Sequence, residues 1–492
     1  MIALLAISLV FFTRLTSSGF LANRVLFLIM LALIVVNAVN VIVQFPLREN
    51  KLGKLICGAV AVILSVVMLW TMVGVSSAES ALSRITGKLV ETEVIAVVVR
   101  ADDPAQKLSD TVGYTYGYLD NLDQENTSSM LQHLQEQLGE LTPNPCASIT
   151  ELADDLYSSR VGAVFMNTGF LRLLEYSEDY ADFFEKTRII YEYRISREVI
   201  SPTETGNISE PFIIYCNGID SRSNDITASG NSDVNILAVV NPQSREILLL
   251  NTPRDYYVPL HMNGKYDKLT HAGNYGIDES IGTLSDLYNV KVPYYVRLNF
   301  FGLVDVVDAI GGVDVESPKE FTTVSMEIPN ESGKLENRSF TFPAGPVHLN
   351  GREALAFSRE RKAFASGDNQ RGQNQMTVIK GIIDKATSPA VLSRYQSLIK
   401  AVTDAFVTNV SYDDVASLVK NQQKDTRPWH VSTYAVTGPG GSDYCYSWPN
   451  QQLYVTRQDP DSVAFAKTLI QQVLNGERPD LPDQDEDGAN TR

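Results

Sequence analysis

Residues 357–375, FSRERKAFASGDNQRGQNQ, gather Arg359, Arg361, Lys362 and Arg371 beside Asp368, Gln373 and Gln375. Three more polar segments interrupt apolar runs upstream: GIDSR with Asp220 and Arg222, GNSDVN with Asp233, and NTPRDYY with Arg254 and Asp255. Each of the four follows a run that reads as a strand. Charged residues at strand ends, beside turn formers, are where an α/β sheet assembles a site. Arginine offers a planar fork that matches phosphate oxygens bidentately and stays charged at every relevant pH. Asp220 and Asp233 supply hard carboxylate oxygens, suited to Mg²⁺ or Mn²⁺ shared with phosphate oxygens and water. The combination predicts a site for a pyrophosphate group. A phosphate loop, a dinucleotide fingerprint and an HExxH zinc motif are all missing from the sequence, which excludes ordinary nucleotide and zinc-hydrolase chemistry.

The blander readings differ by residue. A single arginine in this stretch would be a solvated strand face paired with Glu353 or Glu360, but several at successive strand ends argue for a site. Asp220 and Asp233 also suit turns, and Asp255 after Pro253-Arg254 could be a turn residue or an ion-pair partner. Lys268 and His271 in DKLTHAGNYG read as structural, because no second metal ligand accompanies the histidine. Either Asp233 or Asp255 could serve as a general base.

The charge balance restricts the partners. With 41 Lys+Arg against 58 Asp+Glu, the 492-residue chain carries a formal net charge of −17. That excludes nucleic acid as the main partner, while leaving room for one local basic patch. Four cysteines at irregular spacing exclude a full disulfide framework and a thiolate metal cluster, and allow at most one bridge among Cys146, Cys216 and Cys445.

The elements that must position these residues follow from apolar patterning. Residues 25–45 and 55–75 are uncharged and long enough to cross a membrane, whereas residues 1–12 are marginal and read as a third helix. Arg48, Lys51 and Lys54 in the connection at 46–54 keep that loop cytoplasmic, which puts everything after about residue 78 outside; Arg14 and Arg24 weakly oppose this. The expected fold is α/β: transmembrane helices over 1–78, a small α/β accessory domain over 90–200, and an α/β/α domain with a central mixed sheet over 210–475. An acidic, disordered tail should occupy 476–492. In the accessory domain, NTSSMLQHLQEQLGEL predicts a helix capped at Asn126 or Thr127, with Met130, Leu131, Leu134 and Leu138 on one side. In the larger domain, NILAVVN and EILLLN predict a hairpin joined by PQSR, and FFGLVDVVDAI predicts a helix stopped by Gly311-Gly312.

Four ordered segments, SDVNILAVVNPQSREILLLNTPRDYYV, DKLTHAGNYG, YYVRLNFFGLVDVVDAIGGVDV and GPVHLNGREALAFSRERKAFASGDNQRGQNQMTVIKGII, resemble the LytR-CpsA-Psr family of Gram-positive cell-wall glycopolymer ligases over about 212–390. The three N-terminal helices, the accessory domain and YCYSWPNQQLYV (444–455) are similar to its CpsA-type subgroup. The resemblance implies a multi-pass membrane enzyme with its large C-terminal part extracytoplasmic. It would move a glycopolymer from an undecaprenyl-pyrophosphate carrier to peptidoglycan through a phosphodiester. By motif, it implies catalytic roles for Arg254, Asp255, Arg359, Arg361 and Arg371, and pyrophosphate contacts from these arginines with Arg222, Lys268 and Gln375. Metal-associated positions fall on Asp220 and Asp233. The polyprenyl tail needs an apolar slot, for which Leu298, Phe300, Phe301, Val304, Val307 and Ile310 are the candidates. One departure is Asn231, where the family often has arginine. Two other readings of the same site are a lipid-binding scaffold or regulator without turnover, and a pyrophosphatase.

Overall fold

The computed structural model describes residues 2–44, 51–85, 90–198, 208–219, 227, 229–330, 334–388 and 405–481. Asp220 and Arg222 therefore lie outside the described residues.

The N-terminal apolar runs form helices Ile2–Ser17, Asn23–Gln44 and Lys51–Ile85. Asn23–Val43 and Leu52–Ser77 are long and apolar enough to cross a membrane, and Ile2–Ser17 is shorter. The turn between the first two helices rests on helix Tyr412–Lys424. There Tyr412 Oη donates to the Ser18 carbonyl at 2.7 Å, and Gln423 Nε2 donates to the Phe20 carbonyl at 3.0 Å.

A five-stranded mixed sheet follows, ordered Thr142–Cys146, Thr115–Leu119, Ala163–Asn167, Val90–Arg100 and Thr187–Glu198. Its predicted helix runs Gln124–Leu138 with Met130 and Leu134 buried, but it starts earlier than expected. Asp123, in the left-handed region at φ 52°, ends the preceding chain, and the Asn126 amide donates to the Asp123 carboxylate instead of capping.

The second sheet has six strands, ordered Phe406–Thr408, Tyr294–Leu298, Phe212–Ile219, Ser232–Asn241, Glu246–Asn251 and His430–Ala435. Ser232–Asn241 and Glu246–Asn251 form the predicted hairpin. Their apolar runs are continuous because both faces are covered. Leu237 and Val239 face helices Ile277–Tyr288 and Pro460–Leu474, while Ile236, Ala238 and Val240 share a core with Met376 and Val410. Full burial of each such side chain contributes roughly 1.5–3 kcal/mol. Leu481 packs against the first of these cores, so the expected free tail is ordered at least that far.

The predicted helix Phe300–Ile310 ends at Gly311, which adopts φ 88°. The arginine stretch departs from expectation: Arg359 ends a helix, Gly351–Arg359, opened by an Asn350/Glu353 capping box, and does not follow a strand. All four cysteines are free.

Candidate active site

Asp233 lies inside its strand, second residue of Ser232–Asn241, and not in the turn expected from the sequence. Antiparallel pairing then sets its position: Ile236 faces Asn251, and Thr252 N–H donates to the Asn235 carbonyl at 2.9 Å. Arg254, three residues past Asn251, is thereby level with Asp233 across the hairpin, and Arg254 Nη1 meets Asp233 Oδ1 at 2.7 Å. Lys268, on a short strand paired with Tyr257–Pro259, brings its Nζ 3.0 Å from Asp255 Oδ1. Helix Asp368–Ala386 delivers Arg371 and Gln375 one turn apart, with Arg371 Nη2 2.5 Å from Asp368 Oδ1. Arg254, Lys268 and Arg371 therefore interleave with Asp233, Asp255 and Asp368 beside one cavity of about 600 Å³.

The carboxylates of this cluster are not equivalent. Burial alone would push Asp255 up, but Lys268, Arg254 and Arg371 outweigh it and hold the group below the usual carboxylate range. Burial pushes Asp368 up; Asp255 and Asp233 add to this, against Arg371 and Arg254. Asp368 is the residue that sequence reasoning noted but gave no role.

Arg359 and Arg361 also line the cavity, by different means. The Arg359 guanidinium sits 4.0 Å from the Phe300 ring centroid, and its Nη1 donates to the Glu327 carbonyl at 2.8 Å. Arg361 and Lys362 are exposed. Asn231, where an arginine was the expectation, is buried and accepts from Asn274 Nδ2 at 2.9 Å.

The apolar wall only partly follows prediction. Phe300 and Leu298 line the cavity, but Val304, Val307 and Ile310 turn away into a separate core with Val313, Leu349 and Phe357. Leu303, Met326, Val378 and Ile379 take their place. Val378 and Ile379 follow Gln375 by three and four residues on one helix, a spacing that was visible in the sequence. Cys216, whose thiol burial pushes to about 12, stays neutral on this wall. Leu173 from the first sheet's domain and Trp448, Leu453 and Tyr454 from a C-terminal hairpin complete it, with no local sequence signal.

His271 has the partners that its sequence context did not reveal. Its ring lies 2.6 Å from Asp267 Oδ1, and the donor atoms of Asp267, His271 and Cys445 fall within 4.8 Å of one another. Asp267 also accepts from the backbone N–H groups of Lys268 and Ser447, so the group reads as a buried hydrogen-bonded knot that fixes the C-terminal hairpin beneath Lys268.

For a divalent cation, one described donor fits in kind: Asp233 lines the cavity with carboxylate oxygens, one of them against Arg254. A cavity with convergent arginines on one part and an aliphatic wall on another suits an amphiphile with an anionic head and a hydrocarbon tail.

The family model described as LytR_cpsA_psr matches residues 183–461, more than half of the chain. A relative from Enterococcus faecalis, named "Polyisoprenyl-teichoic acid--peptidoglycan teichoic acid transferase TagU", is 33% identical over 213 residues, covering 43% of this chain and 66% of that protein. The protein of the same name from Bacillus anthracis is 35% identical over 214 residues, covering 43% and 65%. Each match thus spans just under two thirds of the relative's length. The crystal structure of B. subtilis TagV aligns with 25% identity over 54% of this chain and 98% of that one, at a TM-score of 0.45.

Proposed function

Because the chain belongs to the LytR_cpsA_psr family, we propose that it transfers a glycopolymer from a polyprenyl-pyrophosphate carrier to peptidoglycan, outside the membrane, by forming a phosphodiester. The observation that carries this reading is the placement of Arg254, Lys268 and Arg371 in the same cavity as the wall of Leu298, Phe300, Leu303 and Ile379. Diphosphate and polyprenyl chain then have separate, adjoining surfaces.

In this mechanism the arginines and Lys268 bind the pyrophosphate and stabilise charge on its bridging oxygen as that bond breaks. The acceptor hydroxyl oxygen bonds to the phosphorus next to the sugar, and polyprenyl phosphate leaves with the bridging oxygen. The hydroxyl proton passes to a carboxylate. Asp233 and Asp255 line the cavity and are the carboxylates in reach, with Asp255 held low by its cations and so a weak base; Asp368, raised by burial, does not line the cavity and acts on the site only through Arg371. Asp233, with Asp220, would hold Mg²⁺ or Mn²⁺, which supplies further neutralisation of the phosphates. Asn231 accepts from Asn274 and does not line the cavity, so it adds no charge to the pyrophosphate site.

The membrane reading follows from the two long apolar helices and from the seat of the 18–22 turn on helix Tyr412–Lys424. With that turn on the same side of the membrane as the large domain, the connection with Arg48, Lys51 and Lys54 would be cytoplasmic, and its basic residues support that orientation. The test is turnover of a polyprenyl-pyrophosphate-linked donor with peptidoglycan present. Arg254→Ala and Arg371→Ala should each reduce transfer about 10²–10³-fold. Wild-type rates in both variants would defeat the site assignment, and donor that binds but is never consumed would establish the scaffold reading.

A further inference from the structure

The C-terminal hairpin, strands Gly440–Cys445 and Trp448–Thr456, has no part in the phosphate chemistry, yet it is anchored beside it. Thr456 N–H donates to the Asp255 carbonyl at 2.8 Å, and Tyr257 Oη donates to the Tyr444 carbonyl at 2.7 Å. One face of the hairpin is buried: Trp448 and Val455, with Leu453 against them, pack into the core of the first sheet's domain. The opposite face is not covered. Ser442 pairs with Tyr454 and Tyr444 with Gln452, which puts all four on that outer face. Tyr454 is 57% and Tyr444 55% exposed, high values for tyrosines on a strand braced from behind.

The orientation of Tyr454 gives this exposure a meaning. A Cβ at Gly440 would lie 2.8 Å from Tyr454 Oη and 3.1 Å from its Cε2. The end of the ring thus reaches over the neighbouring strand, in the space that Gly440 leaves by having no side chain. Tyr454 also borders the cavity. Its diagonal neighbour Tyr444 lies on the same face on the other side of Ser442, at the backbone spacing of about 7–8 Å that such pairs have.

We propose that Tyr454 and Tyr444 form a stacking platform for pyranose rings of the acceptor glycan strand, next to the cavity mouth. The C–H face of a pyranose suits a flat, exposed aromatic ring, and Gln452 and Ser442 offer amide and hydroxyl groups to sugar hydroxyls and acetamido groups. The platform residues are themselves uncharged, and the carboxylate beside them, Asp443, is ion-paired with Arg457 at 2.9 Å, so the face offers stacking and neutral hydrogen bonds. The donor's first sugar, bonded to a phosphate held by Arg254 and Arg371, belongs inside the cavity; an incoming strand arrives over the outer surface.

This rests on the transferase reading for its purpose but not for its measurement. Full-length protein in detergent is titrated with a soluble β-1,4-linked N-acetylglucosamine oligomer. Tyr454→Ala should weaken binding about five- to tenfold, and Tyr454→Phe should retain it. Gly440→Ala, which tilts the ring off the strand, should weaken it too. In the transfer assay Tyr444→Ala, at a residue that does not line the cavity, should raise KM for the acceptor while KM for the polyprenyl-linked donor stays unchanged. Equal oligomer binding by wild type and Tyr454→Ala, or a rise in donor KM instead of acceptor KM in Tyr444→Ala, overturns the proposal. Oligomer binding lost in Tyr454→Ala in a protein that transfers nothing upholds the platform and defeats the transferase reading alone.

Discussion

Glu93 shows how one side chain can set a pH response away from the chemistry. It is 4% exposed, accepts from Asn167, and lies near Glu91 and Asp123. Burial, with those two carboxylates adding, pushes it up to about 7 against the Ser229 and Asn167 hydrogen bonds, and burial takes Asp123 to about 6. The folded protein therefore holds these protons more tightly than the unfolded chain. The stability that these two groups contribute is fully present below the ordinary carboxylate range, is lost as pH rises through about 6 and 7, and is gone only above that. Glu93→Gln should recover on the order of 1–3 kcal/mol at pH 8 and little at pH 5, read as a thermal midpoint that drops less with pH, the remainder belonging to Asp123. At this scale the sequence carried much of the site. Arg254, Asp255, Lys268, Arg371 and Gln375 converge on one cavity because each sits in a short polar break between apolar runs. The raised pKa values of Asp368 and Glu93 had no such signature, because they depend first on burial in the fold and then on which distant carboxylates face them.

Helices and strands decide which of those residues can point at a ligand. FFGLVDVVDAI has helical spacing, and either side of its stripe could have faced the cavity. Only Phe300 and Leu303 line it, since helix Gly351–Arg359 presses on the Val304 side. The approach is close: a Cβ at Gly351 would lie 2.3 Å from the Val304 carbonyl oxygen, a backbone atom that cannot swing aside. Gly351→Ala should destabilise the fold by about 1–3 kcal/mol and shift the helix that ends in Arg359, seen as a lower unfolding temperature. Hairpin and helix boundaries such as Gly311 were legible because turn chemistry is local. Arg359 was misplaced on a strand end because ALAF, a short apolar run, fits either period until its capping box is weighed.

Across the whole molecule, the membrane helices and the cavity are held in one frame. Besides the Tyr412 and Gln423 contacts, Ala22 N–H donates to Gln423 Oε1 at 3.0 Å, and Phe20 meets the Tyr412 ring edge-on at 5.2 Å. A Cβ at Gly19 would stand 3.9 Å from the Ala416 Cβ, within disulfide range. Gly19→Cys with Ala416→Cys should cross-link in oxidised membranes, despite a φ of +72° at Gly19. After cleavage at a protease site engineered between 201 and 207, the two halves should part only on reduction; separation without reductant would refute the docking. The first sheet is fastened as well, through Glu91 Oε1 and Arg297 Nη1 at 2.8 Å, both buried. The sequence by itself determined the apolar spans, the two α/β runs, and a pyrophosphate-type set of arginines and aspartates, because hydrophobic period, turn residues and side-chain chemistry are local properties. Only the tertiary structure decided that Leu173, Trp448 and Tyr454 share a cavity with Arg254, that three predicted tunnel residues belong to a core, and that an N-terminal turn seats on residues 412–424. Those outcomes come from long-range packing, in which residues hundreds of positions apart compete for the same surface.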